Sequence, residues 1–110
     1  MPTQDRTVAF LQDQLSGVEN LSIRQMFGEY GVWVDGKTVG LVCNDQLFIK
    51  PTPAGKLLAK DASEAPPYRG AKPSMLIDAE LWEDADWLCG LVRETTAALP
   101  APKPKRAKKK

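Results

Sequence analysis

Six cationic side chains, and no acidic one, are concentrated in the last eleven residues of the 110-residue chain. They are Lys103, Lys105, Arg106, Lys108, Lys109 and Lys110. Cations spread over so short a segment neutralise phosphates and release counterions, which gives nucleic-acid affinity without sequence preference. Since the segment contains no aromatic side chain, we expect it to read no bases. The alternatives are a tail that raises solubility and a tail that docks on the protein's own acidic body.

This basic segment differs sharply from the rest of the chain. The whole sequence has 15 basic and 14 acidic side chains, for a net charge of +1. Without the six tail cations, residues 1–99 have nine basic and 14 acidic side chains, a net charge of −5. We therefore predict an acidic folded domain over residues 1–99. Residues 100–110 are rich in proline and lysine and have little apolar surface to bury, so we predict a disordered basic tail.

Residues suited to catalysis or metal binding are few. Histidine is absent, which removes the commonest general base near neutral pH and the commonest ligand of zinc and copper. Cys43 and Cys89 lie in apolar runs, so we expect two buried thiols in a reducing compartment. Glu83, Asp84 and Asp86 are expected to begin a helix, with Asp84 as its cap. We expect no enzymatic activity, no cofactor and no metal.

The segment between residues 21 and 50 predicts an antiparallel meander. Two turn signals, Asp35-Gly36 and Asn44-Asp45, separate apolar alternating runs, and Pro51 ends the last of them. A later apolar run predicts a fifth strand. The predicted strands are residues 21–27, 30–34, 37–43, 46–50 and 73–78. Glu29 lies between two glycines and is expected to be a solvated turn charge, with a site residue as the alternative.

Helical spacing of apolar residues flanks this sheet. Val8, Leu11, Leu15 and Val18 predict a first helix over residues 3–16, with Thr3 as its cap. A last helix is predicted over residues 83–99, a short one over 53–60, and a loop over 61–72. The predicted fold class is therefore α+β, an antiparallel meander of about four to five strands with N- and C-terminal helices packed on it.

Strand alternation also predicts a second apolar face on the sheet. It places Trp33, Val42 and Phe48 opposite the face that the two long helices cover. We expect these three side chains to form an exposed patch for a protein partner or a second copy. The alternative is that the segment 53–77 or the last helix covers them.

One stretch of the chain resembles a known family. Its residues are Met26-Phe27-Gly28-Glu29-Tyr30-Gly31, Asp35-Gly36-Lys37 and Asp45-Gln46-Leu47-Phe48-Ile49-Lys50. Together they resemble the N-terminal domain of the TfoX/Sxy family of competence regulators. Gly70-Ala71-Lys72-Pro73 and the helix at Trp87-Leu88 extend the resemblance to residues 7–99. The resemblance implies an α+β domain similar to secretion-chaperone-like folds, in a stand-alone form without the family's C-terminal domain.

The same resemblance implies a bacterial cytoplasmic protein linked to the transcriptional regulation of DNA uptake. It supplies no catalytic residues, and it implies a structural role for Met26, Phe27, Gly28, Tyr30 and Gly31. No run approaches the ~20 apolar residues of a transmembrane helix, and we expect no secretory signal. We therefore expect a non-enzymatic regulatory or adaptor domain with nonspecific nucleic-acid contact through its tail. The alternative is a protein-interaction or homodimerisation module with no nucleic-acid role.

Overall fold

Six antiparallel strands form a single sheet in the computed structural model, which describes residues 3–26 and 29–99. They are β1 (Leu21–Met26), β2 (Glu29–Val34), β3 (Lys37–Cys43), β4 (Gln46–Ile49), β5 (Ser63–Ala65) and β6 (Ser74–Ile77). Their order across the sheet is β1-β2-β3-β4-β6-β5. The predicted α+β class is confirmed, with six strands in place of four or five. The added strand, β5, lies in the predicted loop.

The two tight turns of the meander are those that the sequence predicts. Asp35 and Gly36 have φ angles of 53° and 80°, and Asn44 and Asp45 have φ angles of 53° and 61°. Left-handed backbone at both central positions gives a turn the twist that its flanking strands require. The turns therefore fix the bounds of β3, which are the predicted ones.

Three α-helices and one 3-10 helix complete the part of the fold that the structure describes. They are α1 (Asp5–Gln14), α2 (Pro53–Leu58), the 3-10 helix Ala79–Glu83 and α3 (Ala85–Ala98). Asp84 caps α3, as predicted, because its side chain accepts a hydrogen bond from the Trp87 backbone N–H. Thr3 does not cap α1, since Gln4 occupies that position and makes no side-chain cap bond. The Thr3 hydroxyl instead donates to the Val42 carbonyl.

The helices all pack on one face of the sheet, the inner face. One cluster of buried side chains joins α1, α3 and the 3-10 helix to strands β1, β2, β3, β4 and β6. Its fully buried members include Leu11, Leu15, Val32, Val42, Leu47, Ile49, Leu88, Leu91 and Val92. α2 joins the same layer, because Gly55 lies against Met75 and Thr95. The hydrophobic core therefore lies between this inner face and the helices.

A β-bulge in β3 overturns one prediction about the sheet. Val32 pairs with Gly40, but Trp33 pairs with Thr38, so Val39 is an extra residue. An extra residue reverses the alternation of side chains along a strand. Val42 therefore points into the core and has no exposed surface, contrary to the predicted outward patch. Leu41 takes the outward position instead.

Candidate interaction surfaces

The outer face of the sheet carries an apolar stripe across three strands. Strand pairing places Leu41 opposite Phe48, and Phe48 opposite Leu76. Trp33 on β2 continues the stripe toward β1. None of the three α-helices lies on this face, because all of them pack on the inner face. We call Trp33, Leu41, Phe48 and Leu76 the outer patch.

The members of the outer patch differ in their accessibility. Phe48 is only 4% exposed, whereas Trp33, Leu41 and Leu76 are half-buried. Strand pairing places Trp33 and Phe48 on the outer face. The predicted exposure of Phe48 is wrong, because its side chain is almost fully buried and offers little surface to a partner. A partner would reach mainly the other three side chains.

Trp33 is held between a glycine and an arginine. A Cβ added to Gly31 would lie 2.5 Å from the indole Nε1 atom of Trp33, so the ring rests on the bare backbone there. The guanidinium of Arg24 lies 4.3 Å from the ring centroid, in cation–π geometry. Gly31 thus has the structural role that the resemblance implies for it. Phe27 and Gly28 lie outside the described residues.

Two carboxylates hold the start of α1 against the sheet. Glu29 accepts hydrogen bonds from the backbone N–H groups of Thr3 (3.0 Å) and Asn44 (3.1 Å). Asp45 accepts from the Gln4 backbone N–H and the Thr7 hydroxyl, both at 2.8 Å. Glu29 is therefore a structural anchor and not a free turn charge. Asp45 thus accepts hydrogen bonds at the start of α1, where the N-cap residue Gln4 makes no side-chain cap bond of its own.

The hydrogen bonds at these two carboxylates favour their charged forms. Burial alone would raise the pKa of Glu29, but the bonds from Thr3 and Asn44 outweigh it and lower the pKa. The pKa of Asp45 is lowered by the Gln4 backbone N–H and the Thr7 hydroxyl. Burial, followed by the negative charge of Glu29, raises the pKa of the Cys43 thiol. The raised pKa favours the protonated form of this buried thiol.

These lowered pKa values predict a loss of stability in acid. A carboxyl whose pKa is lower in the folded state binds fewer protons there, so stability falls as pH drops below about 4. In Glu29→Gln, the part of this dependence that Glu29 contributes should disappear. We expect urea unfolding from pH 6 to pH 3 to show a shallower pH dependence for the variant than for the wild type. Parallel curves would contradict the prediction.

Cys89 is also buried and free, as predicted, and its Sγ atom donates to the Gln14 carbonyl. Within residues 3–26 and 29–99, no cluster of three or more His, Cys, Asp or Glu side chains is arranged to hold a metal ion. The same residues contain no helix long and apolar enough to span a membrane.

The end of α3 is fastened to the β2–β3 hairpin by a lysine. The Nζ atom of Lys37 donates to the carbonyls of Thr96 (2.9 Å) and Leu99 (3.0 Å). The last carbonyls of a helix lack intrahelical partners, and a cation there complements the helix dipole. Lys37 therefore fixes the point at which the basic tail begins. The tail's own six cations lie outside the described residues.

A cleft of about 520 Å³ lies beside this lysine. Its charged lining comprises Glu19, Asp35, Lys37 and Arg93, two acids and two bases. Arg93 already donates to the Gly17 carbonyl at 2.6 Å, and Lys37 is engaged with α3. The cleft thus has balanced charge, and its two cations already bond to backbone carbonyls.

Comparison with known proteins agrees with the resemblance in the sequence. The family model for the TfoX N-terminal domain matches residues 13–99 of this chain. A protein of Spirochaeta aurantia, described as an uncharacterized 12.7 kDa protein in the trpE 5′ region, is 40% identical over 110 residues. That match covers 100% of this chain and 95% of the Spirochaeta protein.

Proposed function

Since this chain belongs to the TfoX N-terminal domain family, we propose that it is a regulatory domain that contacts nucleic acid through residues 100–110. The family comprises competence-related regulators, and the proposed role is non-enzymatic. The observation that carries the proposal is the charge separation along the chain. Six cations and no acid occupy the last eleven residues, while residues 1–99 have a net charge of −5.

The folded domain favours contact through the tail alone. Acidic side chains outnumber basic ones by 14 to nine in residues 1–99, so the domain as a whole repels phosphate. Of the basic side chains, Lys37 is bonded to α3 and Arg24 lies over Trp33. Nucleic acid held by residues 100–110 would therefore stay near the Leu99 end of α3, and the rest of the acidic domain surface would not contact it.

The test compares the full chain with a full-length variant in which the six tail cations are replaced by glutamine. Fluorescence anisotropy of a random-sequence duplex would be measured at several salt concentrations. If all six cations contact phosphates, log K should fall against log salt with a slope of about −5. The glutamine variant should lose this binding and keep the wild-type melting temperature, because the hydrophobic core lies within residues 3–99.

Binding that survives in the glutamine variant would overturn the proposal, because the domain would then be the source of the affinity. A second control is the chain ending at Leu99, which retains the Lys37 bonds to Thr96 and Leu99. It should behave like the glutamine variant in both measurements. If it unfolds, the tail has a structural role that this proposal does not include.

A second candidate function is protein binding through the outer patch, without nucleic acid. The observation that favours it is a half-buried Trp33 on the sheet face opposite to the one on which α1, α2 and α3 pack. Trp33→Glu would place a charge on this face while leaving the core on the other side intact. The variant should remain folded and lose association through the patch, which sedimentation velocity would detect. Unchanged association would contradict this candidate.

A further inference from the structure

The two edges of the sheet are built differently. The β5 edge has three residues, is followed by Pro66-Pro67, and carries Glu64 in a 3.7 Å salt bridge with Lys56. Shortness, charge and proline are the features that keep an edge strand from pairing with another chain. β5 is thus a protected edge.

The β1 edge is neither short nor interrupted by proline. Its six residues all pair in regular register with β2, without a bulge and without proline. Its one charged side chain, Arg24, is engaged over Trp33. Alternate residues of an edge strand direct their N–H and C=O groups away from the sheet. Among the described residues, no strand pairs with that side of β1.

We propose that β1 pairs antiparallel with β1 of a second copy of this chain, so that the two sheets become one across a two-fold axis. Residues directly opposite in an antiparallel pair point to the same face. Leu21 and Ile23 lie on the inner face, opposite Val34 and Val32, and Ser22 lies on the outer face, opposite Trp33. The strand is therefore a suitable partner for itself.

Side-chain chemistry selects one register among those allowed. With Ser22 on the axis, Leu21 lies opposite the partner's Ile23 and Ile23 lies opposite the partner's Leu21. The pairing ends there, because Asn20 precedes β1 and has a left-handed φ of 63°. A register centred on Arg24 would place two guanidinium groups opposite each other, which is unfavourable. A register centred on Ile23 would place the apolar side chain of Leu21 opposite the polar side chain of the partner's Gln25. The register centred on Ser22 is thus the favoured one.

The pairing would bring the two basic tails close together. Leu21 pairs with Val34, and Val34 pairs with Lys37, so Lys37 lies two strand spacings, about 10 Å, from β1. Lys37 holds Leu99, where the tail begins. Both tails would therefore start near the two-fold axis, and two of them could contact one duplex. This last step rests on the proposed nucleic-acid role, whereas the pairing itself does not.

Disulfide trapping tests the register directly. In Ser22→Cys, the two new thiols would face each other at cross-strand distance, within the range that a disulfide spans. Mild oxidation should convert the full chain to a covalent dimer on a non-reducing gel. Gln25→Cys is the matched control, because its two copies would lie about 20 Å apart along the strands, beyond disulfide reach. The wild-type cysteines are both buried.

Sedimentation equilibrium supplies the second readout. A single strand pair gives a small interface, so we expect wild-type dimers with a dissociation constant in roughly the micromolar range. Ser22→Lys places two cations opposite each other and should weaken the dimer by roughly tenfold or more. Gln25→Lys adds the same charge to β1 outside the paired residues Leu21–Ile23 and should preserve the dimer. A wild type that stays monomeric well above micromolar concentration, or equal crosslinking of both cysteine variants, would overturn the pairing.

Discussion

Replacing Gly40 by alanine should destabilise the domain by about 3 kcal/mol or more. Gly40 pairs with Val32 on one side and Ile49 on the other, directly beside the bulge in β3. A Cβ at this position would lie 2.3 Å from the Phe48 carbonyl oxygen and 3.0 Å from the Ile49 Cδ1 atom. Because the closer atom belongs to the backbone, β3 and β4 would have to separate to make room.

Gly90 provides the control for this experiment. It lies within α3, and a Cβ added there would meet no atom within 4 Å. Glycine in a helix interior costs about 0.5–1 kcal/mol relative to alanine, so Gly90→Ala should stabilise the domain by that amount. Equilibrium urea unfolding of the two variants would therefore give shifts of opposite sign. A Gly40→Ala variant as stable as the wild type would show that β4 moves freely at this point.

The second large effect is expected at Phe48. Phe48→Ala should lower the free energy of unfolding by about 3–4 kcal/mol, as buried phenylalanine truncations do. We expect this large loss of stability even though Phe48 belongs to the outer patch. Leu41 and Leu76 flank Phe48 in the strand pairing, and only 4% of its side chain is exposed. Its loss would open a void in the middle of the stripe.

Leu57 serves as the comparison for Phe48, since it is 75% exposed on α2. Leu57→Ala should change the free energy of unfolding by about 0.5 kcal/mol or less. Urea unfolding monitored by tryptophan fluorescence would measure both variants. If Phe48→Ala costs no more than Leu57→Ala, Phe48 is a surface residue available to partners. The expected result instead makes Trp33 the better probe of binding through the outer patch.

The sequence predicts those parts of this fold whose ends are set by nearby turn or capping residues. Asp35-Gly36 and Asn44-Asp45 define β3, and Asp84 defines the start of α3, because each acts on backbone groups within a few residues. The bulge at Val39 could not be predicted in this way. It is a property of the pairing between β2 and β3, and it reversed the predicted orientation of Val42.

Long-range polar contacts were missed for a related reason. Glu29 resembles a turn charge when only its neighbours are considered, but its partner Thr3 is 26 residues away. Lys37 likewise follows a hairpin turn and gives no local sign that it bonds to Leu99, 62 residues later. β5 has too few apolar residues to show alternation, and its pairing with β6 alone identifies it as a strand. The role of the six tail cations stays a prediction.

The bond between Lys37 and the end of α3 has a mechanical consequence. If residues 100–110 hold a polymer that moves relative to the domain, the pull enters the fold at Leu99. A free helix end would peel away turn by turn under such a load. Here Lys37 ties the carbonyls of Thr96 and Leu99 to β3, which has hydrogen-bonded strands on both sides. The tension would thus pass to an interior strand of the sheet. Unfolding under this load would then require the strand pairing of β3 to break as well as the end of α3.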